Sequence, residues 1–172
     1  MEIGRRDSPL RQALDRWVER SPEADGGAVE TCLAFLQAAQ EVYDYFDVHL
    51  GRFGVSQGKF AILVLLSLTE GGLSPSDLAA QSFVSPATIT GLLDGLERDG
   101  LVVREANPDD RRMLTVRLTP AGRELVQRLL PEHFQRISDL LADLSEEDRH
   151  LLAALSARIG GRAVAARPAR RS

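Results

Sequence analysis

The stretch Ser85-Pro86-Ala87-Thr88-Ile89-Thr90-Gly91-Leu92-Leu93-Asp94-Gly95-Leu96-Glu97-Arg98-Asp99-Gly100-Leu101-Val102 decides how the rest of the chain reads. A serine followed by proline is a helix start, because the hydroxyl caps free backbone N–H groups and proline at the first helical position has no N–H to lose. Ile89, Leu92, Leu93 and Leu96 recur at helical spacing and mark an inner face, and Gly100 ends the pattern. The spacing therefore predicts a helix over 86–99. Its opening is small and hydroxylated. A helix enters the major groove end-on only if its first side chains let backbone and duplex approach. Ser85, Ala87, Thr88 and Thr90 meet that condition, and Pro86 and Gly91 complete the candidate contact set.

Upstream, Ser74-Pro75 repeats the same start and opens a helix over 74–81, separated from the next by only Ser82, Phe83 and Val84. Before it, residues 56–68 read as a helix around the apolar run 60–66, buried nearly all round, with Gly71-Gly72 as its break. Downstream the period changes from helical to alternating. Residues 101–104 and 113–118 are β-rich, and the polar turn 105–112 between them makes a hairpin with a charged tip. Two short helices and a hairpin in this order describe a winged helix-turn-helix. In it Arg111 and Arg112 are placed to reach a neighbouring minor groove or its phosphates, with Asp110 holding one arginine in place.

Each of these signals alone has a plainer reading. A Ser/Thr-rich helix start is usually only a cap, and an Asp-Arg-Arg turn is usually a solvated loop. Their combination in this order and spacing favours duplex contact. The charge count runs the other way: between 74 and 119 there are five arginines (98, 104, 111, 112, 117) against seven acids (77, 94, 97, 99, 105, 109, 110). The acids on 86–99 must then face away from the duplex, and affinity must rest on few phosphate contacts and on two copies binding together.

The flanking segments are helical and apolar-striped. Residues 8–21 carry Leu10, Leu14, Trp17 and Val18; after a linker, 28–51 carries Val29, Cys32, Leu33, Leu36, Ala39, Tyr43, Phe46 and Leu50. From Thr119-Pro120 a further stripe runs through Leu125, Val126, Leu129, Leu130, Ile137, Leu140, Leu141 and Leu144, with a kink expected at Pro131. Ser145-Glu146-Glu147-Asp148 starts a last helix bearing Leu151, Leu152, Leu155 and Ile159. The resulting organisation is an N-terminal extension (1–27), a helical dimerisation region (28–55 and 120–159), a winged unit (56–119) and a basic flexible tail (160–172). Wide leucine stripes around so small a winged unit bury themselves most readily against a second copy of the chain; the alternative is a monomeric bundle.

Composition closes off other classes. Of 172 residues 44% are apolar and 27% charged, with a net charge of −4, which suits a soluble globular chain with a core. The longest apolar run, 60–66, is far short of a membrane span, and the first residues lack the apolar stretch of a signal peptide, so the cytoplasm is the expected compartment. A single cysteine, Cys32, excludes an internal disulfide and a multi-cysteine zinc site; His133 and His150 have no companions at metal-ligand spacing. No nucleophile motif, phosphate loop or metal cluster suggests an enzyme, and no cofactor is expected. A winged module that binds protein rather than DNA, favoured by the acid excess, stays open as an alternative.

Residues 85–102, together with Asn107-Pro108-Asp109-Asp110-Arg111-Arg112 and Leu118-Thr119-Pro120-Ala121-Gly122, resemble the MarR (multiple-antibiotic-resistance regulator) family of transcription factors, over about 29–159. The resemblance implies a mainly α fold with a small β-hairpin wing, and a homodimer offering two winged helices to a pseudo-palindromic operator in double-stranded DNA. It also implies a repressor released by a small anionic or aromatic effector or by a stress signal. Carried over by position, Arg112 matches the wing arginine that enters the minor groove, Asp110 its orienting partner and Arg111 a phosphate contact. The family often has a polar or basic residue where this chain has Gly91.

Three residues are candidates for a ligand or signal site: Trp17, Cys32 and His49. Cys32 stands 24 residues before Ser56, a spacing similar to that of the family's hydroperoxide-sensing branch, which makes a thiol-based redox sensor the further alternative. That branch's tyrosines are replaced by Leu36, Phe46 and Gln57, and an apolar-stripe cysteine is ordinarily a small hydrophobe. Trp17, in an extra leading helix, resembles the urate-responsive branch, although Ala61 and Leu92 stand where that pocket's acid and arginine are expected. His49 is placed to accept an anion or to pack at an interface.

Overall fold

A computed structural model describes residues 9–21, 23–82, 84–106 and 114–166. The chain divides into two compact units, Met1–Gln57 and Gly58–Ser172.

The first unit holds two helices, α1 (Pro9–Glu19) and α2 (Gly26–Gly51). Asp25 caps α2, its carboxylate accepting from the Ala28 N–H at 2.9 Å. Gly26 lets α1 come close: a Cβ there would stand 3.1 Å from Val18 Cγ1. The stripe predicted for α2 is only partly covered. His49 and Leu50 are buried, whereas Leu36 and Tyr43 are more than half exposed.

The second unit runs α3 (Gln57–Ser67), α4 (Pro75–Gln81), α5 (Pro86–Arg98), β1 (Val102–Ala106), β2 (Leu114–Leu118), α6 (Pro120–Leu140) and α7 (Glu146–Ala165). Four N-caps are made by Ser74, Ser85, Thr119 and Ser145, and proline follows the first three at the helix start. β1 and β2 pair antiparallel from Val102↔Leu118 to Ala106↔Leu114. Leu73 adds a one-residue third strand by bridging Val116, with N–H···O=C bonds of 3.1 and 2.8 Å. Gly72 makes the bridge possible: its φ is +75°, and a Cβ there would overlap the Val116 carbonyl. The core gathers Ile62, Leu63 and Leu66 of α3, Leu78 of α4, Ile89, Leu93 and Leu96 of α5, Val102, Val116 and Leu118 of the hairpin, and Leu125, Val126 and Leu129 of α6.

Mainly helical structure with a small hairpin is as expected, and Pro131 lies inside a helix that runs on from Pro120 to Leu140; two details differ. The first hairpin strand extends two residues further than expected, to Ala106, and the second begins at Leu114. The segment from Gly160 is helical as far as Ala165 rather than an aperiodic tail. Two glycines cost a helix about 1 kcal/mol each, but Arg162, Ala163 and Ala165 are good helix formers that carry the turns beyond them. The rest of the expected tail, 167–172, lies outside the described residues.

Candidate nucleic-acid interface

α5 is divided lengthwise. Ile89, Leu93 and Leu96 are essentially inaccessible, and Ser85, Ala87, Thr88, Thr90 and Gly91 are all exposed. The helix opens on Ser85, whose Oγ accepts from the Thr88 N–H at 3.2 Å and lies 2.7 Å from Thr88 Oγ1. Pro86 takes the first helical position. Gly91 faces open space, with no atom within 4 Å of where a Cβ would stand. The first two turns therefore show solvent a face of small and hydroxylated residues at a positive helix end that favours phosphate. Of the six residues expected to contact the duplex, Ser85 caps α5, Pro86 opens it, and Ala87, Thr88, Thr90 and Gly91 follow within its first two turns. Asp110, Arg111 and Arg112 lie outside the described residues.

The described acids across 74–119 all have local partners. Arg104 of β1 places Nη2 at 2.6 Å from Asp94 Oδ1 and Nη1 at 3.7 Å from Glu97 Oε2. Lys59 of α3 meets Asp99 at 2.5 Å, and Arg117 of β2 meets Glu105 at 3.3 Å. Asp77 accepts from the Ser74 hydroxyl at 2.7 Å. Every described acid of the segment thus has a partner inside the unit. Asp94 and Glu97 of α5 pair with Arg104 of the wing strand and the C-cap Asp99 with Lys59 of α3, and all three acids stay 41–50% exposed. Pairs this exposed contribute little to stability.

Sequence reasoning missed Arg104 and Lys59. A signal for Arg104 was present: it shares a strand face with buried Val102, and an arginine on the inward face must find an anion. Lys59 offered none, since its partner is 40 residues away.

The three ligand-site candidates all fall in the first unit and do not cluster. Trp17 is 67% exposed on α1 and Cys32 is exposed on α2. His49 is buried at the far end of α2, its ring 5.4 Å from that of Phe53 and edge-on to it. At 1.5 Å per residue, Cys32 and His49 are about 25 Å apart along the helix, too far to line one small pocket within a protomer. His133 packs against Phe60, ring centroids 4.6 Å apart. Among the described residues no three His, Cys, Asp or Glu side chains converge as a metal site, and no helix is long and apolar enough to cross a membrane.

Comparison with known proteins agrees with this geometry. Residues 55–114 match the MarR family. The chain is 35% identical over 144 residues to the HTH-type transcriptional repressor YetL of Bacillus subtilis, covering 83% of this chain and 86% of that one. Among solved structures, a probable transcriptional regulator from Pseudomonas aeruginosa is 33% identical with a TM-score of 0.67, covering 74% of this chain and 94% of the other. The M. tuberculosis transcriptional regulator MosR, solved in complex with DNA, is 28% identical with a TM-score of 0.66, over 80% of this chain and 98% of MosR. With motif, hairpin and these likenesses in agreement, the chain belongs to the MarR family of winged-helix transcriptional regulators.

Proposed function

We propose that this protein is a dimeric transcriptional repressor that binds a pseudo-palindromic operator and is released by a small anionic effector. The observation that carries DNA binding is the split of α5 into a sealed apolar face and an exposed face of Ser85, Ala87, Thr88, Thr90 and Gly91, with neighbouring acids held in ion pairs. The DNA complex of MosR and the repressor name of YetL support the same reading. The tip residues Arg111 and Arg112 are proposed to contact the adjacent minor groove and its phosphates, with Asp110 orienting an arginine.

Dimerisation is favoured by what one protomer leaves uncovered. α7 has no buried residue, and Leu151, Leu152, Leu155 and Ile159, on one face, are 42–56% exposed. An apolar stripe of this kind on a helical regulator calls for a second chain. Effector binding is supported by a cleft of about 690 Å³ in the second unit, within the range of small-molecule sites. It is lined by Leu66, Leu118 and Val126 and by Arg117, Arg123 and Glu70. The Arg123 guanidinium is held by the Leu118 carbonyl at 2.7 Å, which suits it to meet a carboxylate beside an apolar body.

Selection from a random duplex library tests the function as a whole. Enrichment of an inverted repeat is the expected result. A library without enrichment would instead favour a winged module that binds protein. A thermal-shift screen of aromatic acids and peroxides, run on the native chain and on Cys32→Ser, separates effector binding from thiol sensing: stabilisation by acids in both is expected.

A further inference from the structure

α5 and the hairpin share an apolar core, and Arg104 adds a polar tie between them. Arg104 leaves β1, is 22% exposed, and reaches three levels of α5: the Thr90 carbonyl (Nη2, 3.5 Å), the Asp94 carboxylate (Nη2, 2.6 Å) and the Glu97 carboxylate (Nη1, 3.7 Å). The Arg104 N–H also donates to Glu97 Oε1 at 3.3 Å. Residues 90, 94 and 97 lie on one helical face, so a single planar guanidinium spans two turns of the helix. On the other strand, Arg117 pairs with Glu105 across the hairpin and donates Nη1 to the Glu70 carbonyl at 3.4 Å, while Val116 bridges Leu73. The base of the hairpin is thus tied on one side to the recognition helix and on the other to the α3–α4 connection. The tie to the helix is ionic and partly exposed, and it ends at Thr90, within the candidate contact face.

We infer that Arg104 is a positioning residue: it sets the direction in which the hairpin leaves α5, so that the wing and the helix engage neighbouring grooves of one duplex together. This rests on the DNA-binding reading of α5 and the wing. Two surfaces that must dock at once gain affinity only if their relative orientation is already set, and a guanidinium held at three levels of a helix resists rotation in a way a single point charge does not. Charge cancellation alone is a different role, and it makes the opposite prediction. Replacing Asp94 removes an acid from a DNA-facing helix, which by charge alone tightens binding; by positioning, it frees Arg104 and weakens binding.

The test is groove-specific footprinting of a duplex selected by the wild-type chain, at protein concentrations that saturate each variant. Dimethyl sulfate reports guanine N7 in the major groove, and hydroxyl radicals report sugars along the minor groove. Arg104→Ala is expected to keep the major-groove protection of the wild type and lose the minor-groove protection, with affinity down about tenfold. Arg104→Lys should fall between the two. Asp94→Ala, at a half-exposed site where folding is not at stake, should also weaken binding, by about threefold. The inference is overturned if both protections survive saturation or fade together, or if Asp94→Ala tightens binding. If the wild-type chain protects no duplex, the DNA reading falls as well, a result distinct from all of these.

Discussion

The winged half of the second unit and its last helix have comparable apolar content and opposite fates. In α5, Ile89, Leu93 and Leu96 are sealed against α3, α4 and the hairpin, and each described acid nearby has a cation or hydroxyl partner. In α7, leucines at the same helical spacing stay 42–56% exposed. The winged part closes its own core, whereas α7 leaves its leucines uncovered, and the proposed dimer would cover them.

Placing a charge on the uncovered face of α7 gives the largest expected effect. Leu152→Glu should leave the protomer folded, since nothing there is buried, while dissociating the dimer and lowering operator affinity by at least about a hundredfold, because two linked half-sites become independent. Analytical ultracentrifugation and a gel shift on the same sample check both parts. In the winged part the expected damage is to folding. Leu93→Ala should cost about 2–5 kcal/mol of stability in urea unfolding, where Leu155→Ala at low protein concentration should cost well under half as much.

Smaller effects sharpen the contrast within the winged part itself. Arg112→Ala should weaken operator binding by about 1–3 kcal/mol without moving the melting temperature, and a gel shift at moderate salt reads it. Gly91→Ala should raise stability by about 0.5–1 kcal/mol, because the site is helical, exposed and free of neighbours. A loss of stability there would mean that the surface is covered in the folded protein.

The same contrast explains how much was legible in the sequence. Caps, prolines and apolar spacing are local, so α4, α5 and α6 begin where Ser74, Ser85 and Thr119 placed them, and the hairpin falls where the period changes. What was hidden is long-range or too short to have a period. Lys59–Asp99 joins residues 40 apart, and Leu73 pairs with Val116 as a single residue between a glycine and a cap. Arg104 was half-legible, since alternation put it on an inward face without naming its partners on α5. The acid count is not removed by the fold: Arg104, Lys59 and Arg117 meet four of the five described acids, which fixes where those charges sit and leaves the excess in place. The ligand-site candidates were chosen one by one for residue type, and α2, about 39 Å long, holds two of them far apart.

Stoichiometry and footprint taken together on one selected duplex test the central claim most directly. Two protomers per duplex should protect two clusters of major-groove guanines about 10–10.5 base pairs apart, centre to centre, on one side of the helix. One protomer with one protected cluster, or two clusters on opposite sides, would contradict the paired use of the Ser85-led helices.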